Sequence, residues 1–347
     1  MTGGVGMALK ILKAYRTEED RMKLPWSYGS PLVRELEKRY DYTEMIFPDE
    51  MTEEEKAEII REYDVLITMW SSPHVPNSLA DNPGRLKYIC NVTGGFKTYI
   101  DEPIAASPHI YLTNWGDAVG WPMAEAAMTL LLAMLKNLRL YVGCSEEGKG
   151  EKPDLETQGS LYQRCVGIYG MGAIGRKFVE MLKPFGPIIY AFDPYVPQMP
   201  EGVIKVDTLE ELFDKSQIVA IHAGLSEETQ NSVTADLLAK LPDNGIIINT
   251  ARGAIIDSEA LNKEILSGRL RAGIDVYEPD DYPEKGSPLF KAENAIWTGH
   301  HLGSEDWGFN PELVDRYGEV CLDNLARFER GETPKFLIDD AFYRRMT

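Results

Sequence analysis

The segment that most restricts how this chain folds is a glycine-rich turn between an apolar run and an amphipathic stretch. The sequence VGIYGMGAIGRKFVEML contains the pattern GxGxxG over residues 170–175. When a strand leads into such a turn and a helix leads out of it, the helix N-terminus presents unpaired N–H groups and a positive dipole end to a pyrophosphate. A glycine-rich turn that holds no ligand is the alternative. The context favours a dinucleotide site made of Gly170, Met171, Gly172, Ala173, Ile174 and Gly175.

The residue that ends the next predicted strand distinguishes between two dinucleotides. Asp193 lies 18 residues after Gly175, where a carboxylate can accept hydrogen bonds from both ribose hydroxyls. The same carboxylate repels a 2′-phosphate, and Pro194 and Tyr195 follow it rather than an arginine. These residues predict NAD, and not NADP, as the cofactor.

Apolar runs alternate with helical stretches along most of the chain. The central runs are continuously apolar, as expected for parallel strands that have helices on both faces. The predicted fold class is therefore α/β, and 347 residues suit two domains of ordinary size. The predicted strands are residues 9–15, 64–68, 86–91, 110–114, 164–170, 187–193, 217–222, 245–250, 271–277 and 295–300.

Charge and cysteine content argue against several classes of partner. The formal net charge of −19 disfavours binding to nucleic acid or to an anionic membrane, although a small anionic substrate needs only one or two local cations. The four cysteines form no CxxC pair, so neither a metal site nor a disulfide framework is predicted. The apolar segment 126–135 is too short to span a bilayer and no signal peptide is recognised, so we expect a cytoplasmic protein.

A long block of the chain carries a family resemblance. Residues 222–261, HAGLSEETQNSVTADLLAKLPDNGIIINTARGAIIDSEAL, resemble the D-isomer-specific 2-hydroxyacid dehydrogenase family around NTARG, and GIDVYEP and HHLG follow in the family's order. Residues 113–135 and 330–339 resemble the segment leading into the family's inter-domain helix and its C-terminal end.

This resemblance implies an architecture of two Rossmann-like domains with the active site in the cleft between them. A flavodoxin-like substrate domain would comprise residues 1–117 and 306–347, and a doubly wound NAD-binding domain would comprise residues 118–305. The resemblance also implies a homodimer. The apolar helix at residues 126–135 fits such an interface, with burial inside a single chain as the alternative.

The resemblance also implies hydride transfer between NAD and a D-2-hydroxy acid or its 2-oxo acid. Arg252, in TARG after a predicted strand, would then bind the substrate carboxylate, with a structural salt bridge as the alternative. The family's histidine pattern matches HLG, so we predict that His301 is the acid–base residue, whereas His300 falls where the family commonly has proline. Neighbours on an extended strand point in opposite directions, which separates the two histidines.

The carboxylate partner of His301 is marked less clearly by the sequence. The family places a glutamate a few residues after DV and directly before a proline, where it holds the imidazole and favours its protonated form. Counting five residues from Asp275 gives Asp280, which we predict in this role. Glu278, which precedes a proline, and Asp281 are rivals, and a solvated acidic loop is the alternative.

Further contacts are implied for the cofactor and the substrate. Asp275 would face the nicotinamide carboxamide. The cofactor contacts beyond the glycine-rich turn are His222, Ala223, Thr229, Thr250, Ala251, Asp275 and His301. The segment NVTGGFKTYID resembles the family's loop whose backbone N–H groups bind the substrate carboxylate, with Thr93, Gly94 and Gly95 as candidates. Trp70, Ser71 and His74 follow a predicted strand and could determine which substrate binds. The alternative is that they simply form a loop leading into a helix.

Two other functions occur on this fold. Formate dehydrogenases resemble the chain in DVYxP but carry glutamine where we place Asp280, because formate oxidation needs no proton transfer. NAD(H)-sensing proteins such as the C-terminal-binding-protein corepressors keep similar active-site residues, but they need a partner-peptide groove for which we recognise no extra segment. The acid at residue 280 favours a 2-oxo acid reductase, and the sequence leaves its substrate open.

Overall fold

A computed structural model describes residues 9–23, 26–146, 159–303 and 314–345. The chain forms two units. Unit 1 consists of Met1–Ala118 and Asp306–Thr347, and unit 2 is Val119–Glu305. Residues 305 and 306, where the sequence predicts the second domain junction, lie outside the described ranges. Each unit has its own parallel sheet.

Unit 1 begins with a five-stranded parallel sheet in the order β2-β1-β3-β4-β5, the strand order of flavodoxin-like folds. Its strands are β1 (Lys10–Tyr15), β2 (Asp41–Ile46), β3 (Val65–Thr68), β4 (Tyr88–Asn91) and β5 (Tyr111–Thr113). Between them lie α1 (Glu18–Lys23), α2 (Pro31–Arg39), α3 (Glu53–Ile60) and α4 (Glu102–Ala105).

Local sequence signals start the helices of unit 1. The Ser30 hydroxyl accepts a hydrogen bond from the Val33 N–H, and Pro31 occupies the first helical position of α2. Helix α3 begins with a capping box between Thr52 and Glu55. Strands β3 and β4 are buried at every residue because these helices and their neighbours cover the sheet.

Unit 2 contains a seven-stranded parallel sheet in the order β12-β11-β10-β9-β6-β7-β8. The strand order reverses between β6 and β9, which makes the sheet doubly wound and places a crevice at that point. Its strands are β6 (Cys165–Tyr169), β7 (Ile188–Phe192), β8 (Val203–Lys205), β9 (Ile218–Ile221), β10 (Ile246–Asn249), β11 (Arg271–Ile274) and β12 (Ala295–Trp297). Its helices are α5 (Gly120–Leu135), α6 (Leu138–Glu146), α7 (Ala173–Leu182), α8 (Leu209–Lys215), α9 (Ala235–Lys240) and α10 (Ser258–Leu266).

Helix α5 is apolar nearly all round because unit 2 surrounds it. Ala124, Ala127 and Leu131 are fully buried, and the helix packs against α7, β10 and β11. Burial within unit 2 therefore accounts for the apolar run that the sequence also allowed as a dimer interface.

The chain ends with two helices of unit 1, α11 (Arg316–Glu329) and α12 (Asp340–Arg345). Asp315 caps α11 by accepting a hydrogen bond from the Gly318 N–H. Helix α11 buries Cys321 and Leu325 and packs against α2 and β4. The C-terminal segment is therefore an integral part of the first unit's core.

The predicted α/β fold class is confirmed, and each of the ten predicted strands contains an observed one. The sequence missed β2 and β8, which lie at sheet edges and are largely exposed or half-buried, so that they lack a continuous apolar run. The strand predicted to reach residue 300 ends at Trp297. This early end removes the extended geometry on which the separation of the two histidines was argued.

Three further observations concern function class. Within the four described ranges, no helix combines the length and apolar character that crossing a membrane requires. The same ranges contain no group of three or more side chains arranged to hold a metal ion. Cys90 and Cys321 are free, with their sulfur atoms 3.5 Å apart.

Candidate active site

The glycine-rich turn follows β6 and leads into α7. Gly170 has a φ of +96°, and a Cβ atom there would lie 2.5 Å from the Ala223 backbone nitrogen. A Cβ atom on Gly175 would lie 2.1 Å from the Gly170 carbonyl oxygen. By contrast, no atom lies within 4 Å of a Cβ atom built on Gly172. Two glycines thus allow close packing of the turn, while the third faces open space where a phosphate can approach.

Helix α7 begins without a side-chain cap, since Gly172 is its N-cap residue. Its first N–H groups are therefore available to an anion. Beside the turn, the Asp193 carboxylate accepts hydrogen bonds from the Met171 N–H at 2.8 Å and the Tyr195 N–H at 2.9 Å. Asp193 is thereby fixed next to the glycine-rich turn, a position that suits a ribose contact.

The other residues predicted to contact the cofactor differ in burial and in the hydrogen bonds that they form. The His222 ring is buried 4.8 Å from the Phe178 ring, and burial lowers its pKa to about 3, so the imidazole is neutral at pH 7. The Thr229 hydroxyl donates to the Gly224 carbonyl at 2.7 Å and stabilises its own turn. The Thr250 hydroxyl is buried without a hydrogen-bond partner among the described residues, so it can serve a ligand.

Asp275, directly after β11, organises the next part of the site. Its side chain is fully buried. One carboxylate oxygen, Oδ1, accepts hydrogen bonds from the Thr298 hydroxyl at 2.5 Å and from the N–H groups of His301 and Leu302 at 3.2 and 3.3 Å. The other, Oδ2, is buried and has no partner in the part of the chain that the structure describes. An unsatisfied buried acceptor fits an amide donor such as the nicotinamide carboxamide.

Residues 298–303 form the histidine turn, which departs from ordinary backbone geometry. Gly299 and His300 have φ angles of +57° and +63°. A Cβ atom on Gly299 would lie 1.9 Å from the Tyr282 ring, so glycine is required there. A positive φ is costly for a histidine, and such strain is concentrated at functional sites.

One contact beside the histidine turn joins His300 to Asp281, whereas the sequence predicts His301 with Asp280. His300 Nδ1 lies 3.2 Å from Asp281 Oδ2, and Asp281 also has a positive φ of +60°. Within the described residues, Asp280 and Glu278 form neither a hydrogen bond nor an ion pair, and both are exposed. His301 lies next in the turn and is held through its backbone N–H by Asp275.

Arg252 follows β10 at the same edge of the sheet. Its backbone carbonyl accepts a hydrogen bond from the Asn249 side chain at 3.0 Å, which fixes the turn. Its guanidinium donates to the Ala251 carbonyl at 2.7 Å. Surrounding protein lowers the pKa of Arg252 and the nearby charge of Asp281 opposes this change. The guanidinium remains a cation, because the ordinary arginine pKa lies far above neutral pH.

The predicted substrate loop in unit 1 follows β4. Thr93 is buried, and its hydroxyl lies 3.1 Å from the Tyr99 hydroxyl, so its side chain supports the loop. A Cβ atom on Gly94 would lie 2.3 Å from the Trp115 ring, which covers this glycine. No acceptor within the described ranges takes a hydrogen bond from the N–H of Gly94 or Gly95. These two N–H groups can therefore bind an anion.

Three residues of unit 1 that the sequence links to substrate choice are found in different surroundings. Trp70 is half exposed after β3, Ser71 has a buried hydroxyl without a partner among the described residues, and His74 lies between Glu53 and Asp101. No sequence pattern indicated that Trp70 contacts Trp26 and Trp115 or that Tyr317 contacts both of those tryptophans. Residues so far apart in the chain leave no local pattern.

Comparisons with known proteins identify the family of the chain. A model of the NAD binding domain of D-isomer specific 2-hydroxyacid dehydrogenases matches residues 128–301. A hydroxypyruvate reductase of Thermotoga maritima is 34% identical over 256 residues, which cover 73% of this chain and 82% of that protein. A D-3-phosphoglycerate dehydrogenase of Methanocaldococcus jannaschii is 30% identical over 83% of this chain, and the chain spans about half (54%) of that longer relative.

A solved structure of D-2-hydroxyisocaproate dehydrogenase has the same fold, with a TM-score of 0.71 at 22% identity, over 94% of this chain and 99% of that one. The predicted family and NAD as the cofactor are confirmed. The chain acts on 2-hydroxy or 2-oxo acids, as the matched domain and the similarity to named reductases indicate. With its glycine-rich turn, buried Asp275 and matched NAD-binding domain, this chain belongs to the D-isomer-specific 2-hydroxyacid dehydrogenase family and is an NAD-dependent oxidoreductase.

Proposed function

We propose that the protein interconverts a 2-oxo acid and the D-2-hydroxy acid, with a histidine–carboxylate pair moving the proton. The observation that carries this proposal is the 3.2 Å approach of Asp281 Oδ2 to Nδ1 of His300. The loop that holds Asp281 packs, at the backbone of Tyr277 and Glu278, against Gly253, the residue after Arg252. A cation, a proton carrier and a carboxylate therefore lie at the carboxyl edge of the seven-stranded sheet, where ligands bind in doubly wound folds. NAD, when bound, supplies or accepts the hydride.

Arg252 has the role of binding the substrate carboxylate and polarising the adjacent carbonyl. A guanidinium offers five N–H donors in a planar fork that matches a carboxylate. Within the described residues, this guanidinium donates one hydrogen bond, to Ala251, and it forms no salt bridge with a carboxylate. Most of its donors therefore remain available to a substrate. The N–H groups of Gly94 and Gly95 are the second candidates for binding this carboxylate.

His300 is the acid–base residue that the geometry favours. In the reducing direction the imidazolium donates its proton to the substrate oxygen, and the Asp281 carboxylate stabilises the charged ring before that transfer. The pair also brings together two residues that both have left-handed backbone. His301 with Asp280 remains the rival pair that the sequence predicts.

Asp275 has two roles in this proposal. Its Oδ1 atom holds the histidine turn by accepting three hydrogen bonds. Its Oδ2 atom, which is buried and lacks a partner within the described residues, would accept a hydrogen bond from the carboxamide of a bound cofactor. The glycine-rich turn and Asp193 would bind the pyrophosphate and the adenosine ribose.

The test is a matched set of four variants assayed by the loss of NADH absorbance with a panel of 2-oxo acids. We expect His300→Asn and Asp281→Asn to lower kcat by about 100-fold or more. His301→Asn and Asp280→Asn should change kcat by less than about fivefold, since in this proposal the proton moves through His300 with Asp281 as its partner. NADH binding, followed by fluorescence, should persist in all four.

The opposite outcome would transfer the role to the other pair. If His301→Asn and Asp280→Asn lose turnover while His300→Asn keeps it, His301 is the acid–base residue. If the wild-type protein oxidises formate with NAD and reduces none of the acids, the chain is a formate dehydrogenase. Tight NADH binding with no turnover of any substrate would favour a sensor.

We also propose that the protein is a cytoplasmic homodimer. Helix α6 leaves Leu138 and Val142 about half exposed, at 53% and 47%, which provides apolar surface for a second copy. Light scattering should give a mass of about twice the 39.0 kDa chain; a mass equal to one chain would contradict the dimer.

A further inference from the structure

Four aromatic side chains of unit 1 form a continuous cluster, which we call the aromatic wall. Trp26, Trp70, Trp115 and Tyr317 make up this wall. The ring centroids lie 5.9 Å apart for Trp26 and Trp70, 5.8 Å for Trp70 and Trp115, and 4.9 Å for Trp115 and Tyr317. A 5.4 Å contact between Trp26 and Tyr317 closes the ring of contacts. These spacings are those of edge-to-face and tilted aromatic pairs.

One side of the aromatic wall is fixed by the protein. Trp26 and Tyr317 are each only 3% exposed. The indole N–H of Trp26 donates to the Asp315 carboxylate at 2.6 Å, and the same carboxylate caps α11. These two residues therefore form a rigid base on which Trp70 and Trp115 rest.

The aromatic wall meets the predicted substrate loop at Trp115. The Trp115 ring lies directly against Gly94, as the 2.3 Å approach to a Cβ atom built on that glycine shows. The N–H groups of Gly94 and Gly95 are those without an acceptor in the described part of the chain. An anion bound by these groups would have an aromatic surface beside it.

The other end of the aromatic wall is open. Trp70 is 50% exposed, and it borders a cavity of about 280 Å³ whose other lining residues include the aromatic Phe47 and Tyr99 and the charged Arg16, Asp49 and Lys56. Because Trp70 is half exposed at the edge of this cavity, its ring can contact a molecule bound there.

We propose that the aromatic wall binds the side chain of the substrate and that the substrate is a 2-oxo acid with an aromatic side chain. This inference rests on the proposed function, because it needs a 2-oxo acid whose carboxylate lies near Gly94 and Gly95. An aryl ring placed against Trp70 and Trp115 extends the edge-to-face pattern that the wall already has. A substrate without a side chain, such as glyoxylate, leaves the exposed Trp70 surface unused.

The test compares phenylpyruvate with glyoxylate in the wild-type enzyme and in variants of Trp70. Wild type should reduce phenylpyruvate with a kcat/KM at least about tenfold higher than glyoxylate. Trp70→Ala should lower kcat/KM for phenylpyruvate by about tenfold, mainly through KM, and leave glyoxylate within about twofold. Trp70→Phe should restore much of the loss. Phe342→Ala, at another exposed aromatic residue of unit 1 (41% exposed), is the matched control and should change neither substrate.

Two results would overturn the inference. Wild type that prefers glyoxylate, with faster phenylpyruvate reduction in Trp70→Ala, would show that the ring excludes large side chains. An unchanged substrate ratio in Trp70→Ala would show that the wall does not contact the substrate. If Trp70→Ala does not fold, the test uses the ratio of kcat/KM for phenylpyruvate to kcat/KM for glyoxylate, measured in the wild type and in Trp70→Phe. Failure of the proposed function looks different: NADH binds, but neither acid is reduced.

Discussion

The glycine-rich turn and the histidine turn stand at the same edge of the same sheet, yet they are built in different ways. The glycine-rich turn is shaped by its own backbone: Gly170 and Gly175 permit contacts that no side chain would allow. The histidine turn is shaped by a residue distant in sequence, because Asp275 binds Thr298 and the following N–H groups. Local sterics therefore shape the turn that we propose binds the cofactor, and a carboxylate distant in sequence shapes the turn that carries the proposed acid–base histidine.

The two turns also differ in which residues bear unfavourable backbone angles. In the glycine-rich turn the positive φ falls on Gly170, for which it costs little. In and beside the histidine turn, positive φ angles fall on His300 and Asp281, the residues that we propose to move the proton. Strain at reactive side chains persists only where surrounding contacts impose it. The histidine turn should therefore be the more sensitive of the two to changes in distant residues.

The largest effect is expected from two substitutions that separate the packing and binding roles of the glycine-rich turn. Gly175→Val should lower the free energy of unfolding by about 4 kcal/mol and abolish NADH binding, because its Cβ would overlap the Gly170 carbonyl. Gly172→Ala, where a Cβ meets nothing within 4 Å, should leave stability within about 0.5 kcal/mol and weaken NADH binding about tenfold. Urea unfolding and NADH fluorescence titration measure both effects. Equal losses of stability would contradict the division of roles.

The next effect tests whether Asp275 builds the histidine turn. Asp275→Ala should cost about 3 kcal/mol in urea unfolding, because it removes a fully buried carboxylate and leaves the Thr298 hydroxyl and the N–H groups of His301 and Leu302 without their acceptor. Asp275→Asn keeps one acceptor oxygen and should cost about 1 kcal/mol, but it places an amide where the carboxamide needs an acceptor, so kcat/KM should fall at least about tenfold.

The control for these variants is another aspartate of the same unit. Asp257 caps α10 by accepting a hydrogen bond from the Ala260 N–H. Asp257→Ala should cost about 1 kcal/mol and leave kcat/KM unchanged. A stable Asp275→Ala variant with full turnover would show that the histidine turn forms without the carboxylate.

The smallest effect concerns His222, against which the glycine-rich turn packs. Burial lowers the pKa of this histidine from 6.5 to about 3. Above pH 6.5 the imidazole is neutral in both states, and below it the unfolded chain binds a proton that the folded chain does not. The free energy of unfolding should therefore fall by about 2 kcal/mol between about pH 8 and about pH 5 from this residue alone. His222→Leu should remove that part of the pH dependence in urea unfolding.

An exposed histidine offers the matched control for this pH dependence. His109→Leu should keep the wild-type change in stability between the two pH values, because the side chain lies at the surface. If His222→Leu keeps the full wild-type slope, the buried imidazole is not its source.

By itself, the sequence determined the features that rest on local chemistry. The GxGxxG turn, Asp193 after the second strand and the alternation of apolar runs were sufficient for the α/β class, for NAD and, with the NTARG block, for the family. Each of these signals lies within a few residues or repeats at a fixed spacing, because backbone sterics and strand burial act over short distances.

Only the tertiary structure decided which side chains meet. Counting from HLG and DV predicts His301 with Asp280, and no local pattern indicated the contact of His300 with Asp281, which forms because β12 ends at Trp297 and a left-handed turn follows. The aromatic wall likewise joins residues from four separate segments. Such contacts depend on where strands end and how loops return. Those are properties of packing, and no short stretch of sequence records them.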